Sequence, residues 1–565
     1  MKKMLAFVAA ATFVSSASLG AGHETAGGGG AFSAPSTWST GGVPAEGEAD
    51  LSVTLAATAE GRAYVNDLPF VPLLSELSFR DNATLPGAHH ALLSGGAMRI
   101  TMRGTHSGGI GISTDVPEGF AGEVSAPLVA AFPNTHVKVP AGCRLVLSGP
   151  LSHEPVDPQH YPAGVTDALW TTNSFRFNGA GTNVIRGVYH VDAAVYYTTG
   201  HAAPQFENGT TIVENEMYLP RFLINSGTFV VAHGGKVSNW KSVALVGDAT
   251  VDVAGGLWRA QNSVYWANGA ANVSRVRVRD GGVWMLGEKE VLGYAGLTEV
   301  SVEDGGFMDL RGAYYQGFSN SGSTHLAVSG GVVREAVDAV YLGSLRNAAA
   351  DNWLSLEGGE VWAGRLSQHA KKGVPGKDVD VRLFASGGTL VATLTGKPNV
   401  ASTLDPFIEG DASKFHTYAR AGGLVVDTML NEVNYNAAIA GNDDPSKADG
   451  GVTKLGAGVL RLSAPCSYAG TNDVRCGTLE LAAANAAALT KVSMGATLRI
   501  GDPAHYSRAV RLATGGRLSF AGAALSLEAL SAAADGRLVL SPGAQTVAIG
   551  SAPELEGTLG VELAG

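Results

Sequence analysis

The sequence predicts an all-β parallel solenoid, a chain wound into coils whose strands stack one above the next. Three observations predict it: two arrays of short repeats, strict apolar alternation inside each repeat, and 76 glycines against only 16% charged residues. Such a mix is too apolar for a disordered acidic chain and suits many short strands joined by tight turns.

The first element is an export signal over residues 1–20. Lys2 and Lys3 precede an apolar run, Met4 to Val14, and small residues follow at Ser15, Ser16 and Ala17 and again at Ser18 and Gly20. The run is too short for a permanent membrane helix, and no later run of about 18 apolar residues predicts one. No cysteine stands near the cleavage region, so no lipid anchor is expected there. Residues 21–225 are expected to be a β-rich region with loops that begins the solenoid. Its segment Ser152 to Asp167, rich in proline and polar residues, reads as a long side loop.

Residues 226–440 carry the first array. Gly-Gly pairs follow alternating apolar stretches and begin at Gly255, Gly281, Gly305, Gly330, Gly358 and Gly387, at spacings of 26, 24, 25, 28 and 29 residues. The segment 441–451, GNDDPSKADGG, reads as a turn or linker. Residues 441–565 carry the second array, Gly-x-Leu-x-apolar, with leucines at 460, 479, 498, 518, 538 and 559. One strand cannot bury its apolar face alone, and stacking each copy on the next solves this. Coils of about 20–28 residues are what a solenoid needs, and about 14 or more are expected. Pairs of repeats would also fit the blades of a β-propeller, but the second array drifts smoothly, without alternating long and short steps.

The stretch VTKLGAGVLRLSAPCSYAGTNDVRCGTLEL, Val452 to Leu481, carries a more specific pattern. Lys454, Gly456, Gly458, Leu460 and Leu462 are followed by Tyr468, Gly470 and Thr471, then Gly477, Thr478, Leu479 and Leu481. This resembles the autotransporter-associated β-strand repeat of bacterial passenger proteins. The resemblance implies a right-handed β-helix, export and a scaffold role, and it implies no catalytic residue. No run of amphipathic strands fit for an outer-membrane pore follows the repeats, so self-translocation is not expected.

The candidate chemistry is sparse. Asp280 and Asp304 each precede a Gly-Gly pair, and stacking in register would bring the two carboxylates together as an acid/base pair, as in sugar-cleaving enzymes. Aspartate is equally at home in a turn beside glycine. The same alignment sets Arg279 beside Glu303, with Arg275 and Arg277 nearby. Trp258, Trp284 and Trp362 follow their Gly-Gly pairs and are candidates for stacking on sugar rings, though Met308 and Val333 in matching places favour packing. His190 and Asp192 would share a strand face with Tyr189, Tyr196 and Tyr197 nearby, while His89 and His90 would point apart. None of these makes a metal set. Asp443, Asp444 and Asp449 lack the spacing of a calcium loop. Cys466 and Cys476 are close enough in sequence for a local disulfide in an oxidising compartment, which leaves Cys143 unpaired and buried.

No cofactor is expected, and the formal charge of −11 argues against nucleic acid as partner. The expected role is that of a secreted or cell-surface adhesive or structural protein that meets surface glycans or other surface proteins. The alternatives are a polysaccharide lyase or glycoside hydrolase on the same scaffold, and a non-catalytic carbohydrate binder.

Overall fold

The computed structural model describes residues 22–563. It omits 27–28, 47, 49–50, 58–61, 82–89, 101–108, 113–115, 117, 132–134, 155–173, 192–202, 241–242, 262–263, 266–270, 288, 292–295, 311–312, 316–321, 336–338, 344–348, 370–378, 394–405, 541–544 and 556–559. The expected signal segment, most of the side loop from Ser152, Asp192, Tyr196, Tyr197 and His89 fall outside the described residues. The chain forms a parallel β-solenoid. Its strands pair with strands about one repeat away in sequence, in parallel, which a propeller of antiparallel blades would not do. No helix among the described residues is long and apolar enough to cross a membrane.

Two compact units divide the chain, one of residues 1–176 with 197–202, the other of 177–196 with 203–565. In the first unit, alternation places one side chain per coil at each inner position, nearly always an apolar one. His23, Val53, Leu77, Ile110 and Val137 form one inner ladder by their register. Tyr64, Leu93, Val124 and, on the next coil, Leu147 form another. All are buried.

In the second unit one inner ladder runs through both arrays. It passes Val237, Trp258, Trp284, Met308, Val333 and Val361. It continues through Leu390, Val426, Lys454, Val474, Val492, Leu512, Ala532 and Leu555. The chain consumed per rung ranges from 36 residues, between Leu390 and Val426, to 18, between Val474 and Val492; the longest rung is reached through register shifts between Ala385 and Thr389, after which the ladder resumes. The leucines of the second array form their own inner ladder: Val433, Leu460, Leu479, Leu498, Leu518 and Leu538. Its last rung is Val561, not the expected Leu559. The final repeat takes two residues more than the GxL spacing suggests.

The Gly-Gly pairs serve two separate needs. The first glycine of each pair takes a positive φ, as at Gly281 with φ 80°, a conformation that glycine adopts without a steric cost. The second is needed for closeness: a Cβ on Gly282 would collide with the Val253 carbonyl oxygen of the preceding coil.

The lysine of the second array's motif also has a structural reason. Lys454 occupies an inner rung and is fully buried. Its Nζ donates to the carbonyl oxygens of Leu455 and Gly456, each at 2.7 Å, and of Cys476 at 3.2 Å. It thus bonds three corner carbonyls; that of Leu455 also accepts from the Thr428 N–H and hydroxyl, at 3.1 and 3.2 Å. Tyr468 is likewise buried, and its hydroxyl donates to Asn472 Oδ1 at 2.6 Å. Thr417 with Tyr435 and Thr490 with Tyr506 repeat the pairing on other coils.

Candidate functional site

The side chains singled out in the sequence do not converge. Asp280 and Asp304 lie on adjacent coils in register, with the Asp280 N–H donating to the Asp304 carbonyl oxygen at 3.1 Å. Both are exposed turn residues. Asp280 takes φ 56° and its carboxylate pairs with Arg279. Their placement is that of turn formers on an open corner rather than of an acid/base pair in a groove.

The neighbouring arginines are paired as well, with one difference from expectation. Glu303 stands beside Arg279 in the backbone but its carboxylate takes a bidentate bond from Arg277, at 2.9 and 2.8 Å. Arg279 turns instead to Asp252, with contacts of 2.7–3.3 Å. Arg277 holds the Glu303 carboxyl below its ordinary pKa, with a smaller opposing effect of burial.

Trp258 and Trp284 are fully buried and stack face to face, ring centroids 5.3 Å apart at 13°. They are core and offer no face to a sugar. Trp362 does not belong with them. The inner rung of its coil is Val361, and Trp362 points outward opposite Arg334 and Val391, its Nε1 donating to Glu360 at 2.7 Å. One extra residue after Gly359 shifts the tryptophan to the other face of the strand.

Cys466 and Cys476, the pair expected to be able to form a local disulfide, are free thiols in this structure. Cys466 sits inside a corner, bridged to Ile439 and Asn485 on the flanking coils, and burial pushes its thiol pKa up to about 12. Cys476 is exposed in the turn before Gly477. Cys143 is buried. Tyr189 is buried too, whereas His190 is exposed and meets Tyr218 at a tilt of 42°, ring centroids 5.2 Å apart, and Tyr218 stacks on Trp240 at 4.5 Å.

The residues that do assemble lie on the outer face of the strands Ser323–Ser329, Asn352–Leu356, Val381–Ala392 and Phe415–Asp427. His325 stacks on Trp353 at 4.3 Å and 16°. Trp353 meets Phe384 edge-on at 6.1 Å, and Phe384 stacks on Tyr418 at 5.6 Å and 20°. The Arg420 guanidinium covers Phe384 at 4.2 Å from the ring centroid. It also makes a bidentate bond to Asp443, at 2.7 and 2.9 Å, which holds the Asp443 carboxyl below its ordinary range.

Beside this row is a cleft of about 300 Å³ whose lining includes Ser386, Arg420, Asn442, Asp443, Asp444 and Lys447. The acidic groups of the cleft are already employed. Asp444 Oδ1 accepts from the Ser446 N–H and hydroxyl at 3.0 and 2.6 Å, and its other oxygen faces Lys447 at 3.4 Å. Asp449 accepts from the Ala469 N–H at 2.9 Å. No group of three or more metal-type ligands gathers among the described residues. Sequence reasoning missed this row because its aromatic residues stand at different offsets from their glycine pairs. Aligning the repeats by strand register would have found Phe384 opposite Tyr418.

No protein-family model matches the chain, and no curated protein matches it. Among solved structures, a hyper-glycosylated fragment of TibA, whose glycosylation TibC catalyses, is similar at 13% identity with a TM-score of 0.18. The match covers 83% of this chain and 99% of that one.

Proposed function

We propose that the chain is an exported, surface-associated bacterial β-solenoid with an adhesive or structural role. One observation carries the reading: the outer charges are spent in pairs along the coils rather than gathered at one point. Arg275 pairs with Glu299 at 2.8 Å, Arg277 with Glu303, Arg279 with Asp252, Arg382 with Asp351 and Arg420 with Asp443. A hydrolase or lyase needs two acids, or an acid and a base, free to face one substrate bond. Carboxylates neutralised by neighbouring arginines suit a surface that persists and is touched rather than one that turns over. The basic start and apolar run at the N-terminus supply the argument for export.

The test has two arms. Protease treatment of intact producing cells should cleave the chain, and a deletion strain should adhere or assemble less. Recovery of the protein solely from the periplasm would sink the reading. In the second arm, release of reducing or unsaturated ends from a polysaccharide panel, abolished by Asp280→Ala or Asp304→Ala without unfolding, would replace it with the enzyme.

A further inference from the structure

The aromatic row ends at Tyr418. One face of its ring is covered by Phe384. The register partner of Tyr418 on the next coil is Ala440, and the Ser467 N–H bonds the carbonyl of the adjacent Ile439 on the coil after that. A methyl group and an exposed serine follow where a ring would continue the stack. The row therefore stops at a step, with Tyr418 half-buried at its edge.

The chain leaving Ala440 borders the same step. Arg420 stands two residues beyond Tyr418 in the same strand, about 7 Å along the same face, and Asn442 follows Ala440 in the loop that begins where the strand Ile439–Ala440 ends. The loop carrying Asn442, Asp443 and Asp444 is held in shape by its own bonds. Asn442 Oδ1 accepts from the Asp444 N–H at 3.1 Å, Asn442 Nδ2 donates to the Ala448 carbonyl at 3.0 Å, and the Gly450 N–H donates to the Arg420 carbonyl at 2.9 Å. Little ordering remains to be done on binding, which favours affinity from few contacts.

The charges of the cleft cancel. Arg420 pairs with Asp443 and Lys447 with Asp444, so a polyanion would meet two carboxylates and would have to displace them from their cations. A neutral polyol would not. A carboxylate has about four acceptor positions, of which Arg420 takes two at Asp443, and the remainder suit hydroxyl donors. A half-buried ring face beside Asp, Asn and Arg groups is a fit for the C–H face and hydroxyl rim of a pyranose. The cleft that Arg420, Asn442 and Asp443 line, about 300 Å³ and not itself bordered by Tyr418, is at the small end for a ligand site.

We propose that the step beside Tyr418 binds a neutral hexopyranose unit of a glycan, the ring of Tyr418 stacking on the sugar and Asn442, Asp443 and Arg420 holding its hydroxyls. The assignment rests on the adhesive reading above and narrows it to one ligand class and one place.

The test uses the purified full chain with methyl α- and β-hexopyranosides of the gluco, galacto and manno series, read by saturation-transfer NMR and titration calorimetry. At least one series binds. Tyr418→Ala weakens it by about tenfold or more, Tyr418→Phe keeps it, and Asp443→Asn weakens it. Should Tyr418→Ala fail to fold, Ala440→Trp, which fills the step from outside the core, abolishes binding instead. No hexoside binding at about 10 mM overturns the assignment, as does binding that ignores Tyr418→Ala and Ala440→Trp, or binding confined to uronic or sialic acid glycosides. Each of these leaves cell-surface exposure to be read separately by protease treatment of intact cells, so the failure of one reading is not mistaken for failure of the other.

Discussion

Lys454 shows how a single residue bears a load that composition cannot reveal. Its amine satisfies three carbonyls while buried, and burial lowers its pKa to about 8 from the ordinary 10.5. Between about pH 8 and 10.5 the unfolded chain therefore holds more protons than the folded one, and stability rises with pH across that window. Lys454→Met removes both the donors and the titration. It should cost about 1–3 kcal/mol at pH 8.5, the penalty for the Gly456 and Cys476 carbonyls losing the ammonium donor, and the gap to wild type should widen from pH 7 to pH 10. Urea midpoints across that range are the measurement, and a gap that stays flat or narrows would refute the assignment. The cysteines give a second residue-scale expectation. Alkylation of the folded protein should label Cys476 alone, and denaturation should expose Cys143 and Cys466, so mass spectrometry should count one adduct and then three. A native protein that takes none until reduced would restore the disulfide.

At the scale of the strand, the inner and outer faces obey different rules, and this decides what the sequence made legible. Inner positions repeat because each must match the rung below. The leucines at 460, 479, 498, 518 and 538 could be read directly from their spacing, and they stack as read. Trp258 and Trp284 follow the same rule. Outer positions need only tolerate solvent, so His325, Trp353, Phe384 and Tyr418 recur at no fixed offset and carry no periodic signal. Trp362 differs from Trp258 and Trp284 because it stands one residue further from its glycine pair, and facing depends on whether that count is odd or even. Trp284→Ala should therefore cost about 3–5 kcal/mol by emptying the core. Trp362→Ala should cost less than about 1 kcal/mol, the worth of one half-buried hydrogen bond. Thermal or chemical melts of the pair distinguish the two. Equal losses would mean that Trp362 is core after all.

For the molecule, the joining of two repeat styles in one ladder matters more than either style alone. The Gly-Gly array and the Gly-x-Leu array differ in period, yet Val426, Lys454 and Val474 are consecutive rungs. The architecture was legible because stacking imposes repetition on sequence, whereas the cleft lined by Arg420, Asn442 and Asp443 was not, since it arises where repetition is interrupted. Stability in such a stack is a sum of neighbour contacts, so protection should follow burial coil by coil. Leu460 and Leu479 are fully buried, whereas Val561 is 61% exposed and Leu555 43%. Amide hydrogen exchange should be slow over Val459–Leu462 and Thr478–Leu481 and faster over Arg537–Leu540 and Gly560–Leu563. Uniform protection across these segments would show instead that the stack opens as one unit.

The twofold range in chain length per rung, from 18 to 36 residues, with the inner ladder resuming after the shifts at Ala385–Thr389, makes the solenoid a natural carrier. Material can be added between rungs without asking the ladder to move, so new loops are gained or lost as cargo while the frame stays fixed. A peptide epitope grafted between Leu390 and Val426 would be presented on a framework already accustomed to inserts, and immune or ligand selection could reshape that segment independently of the coils that display it.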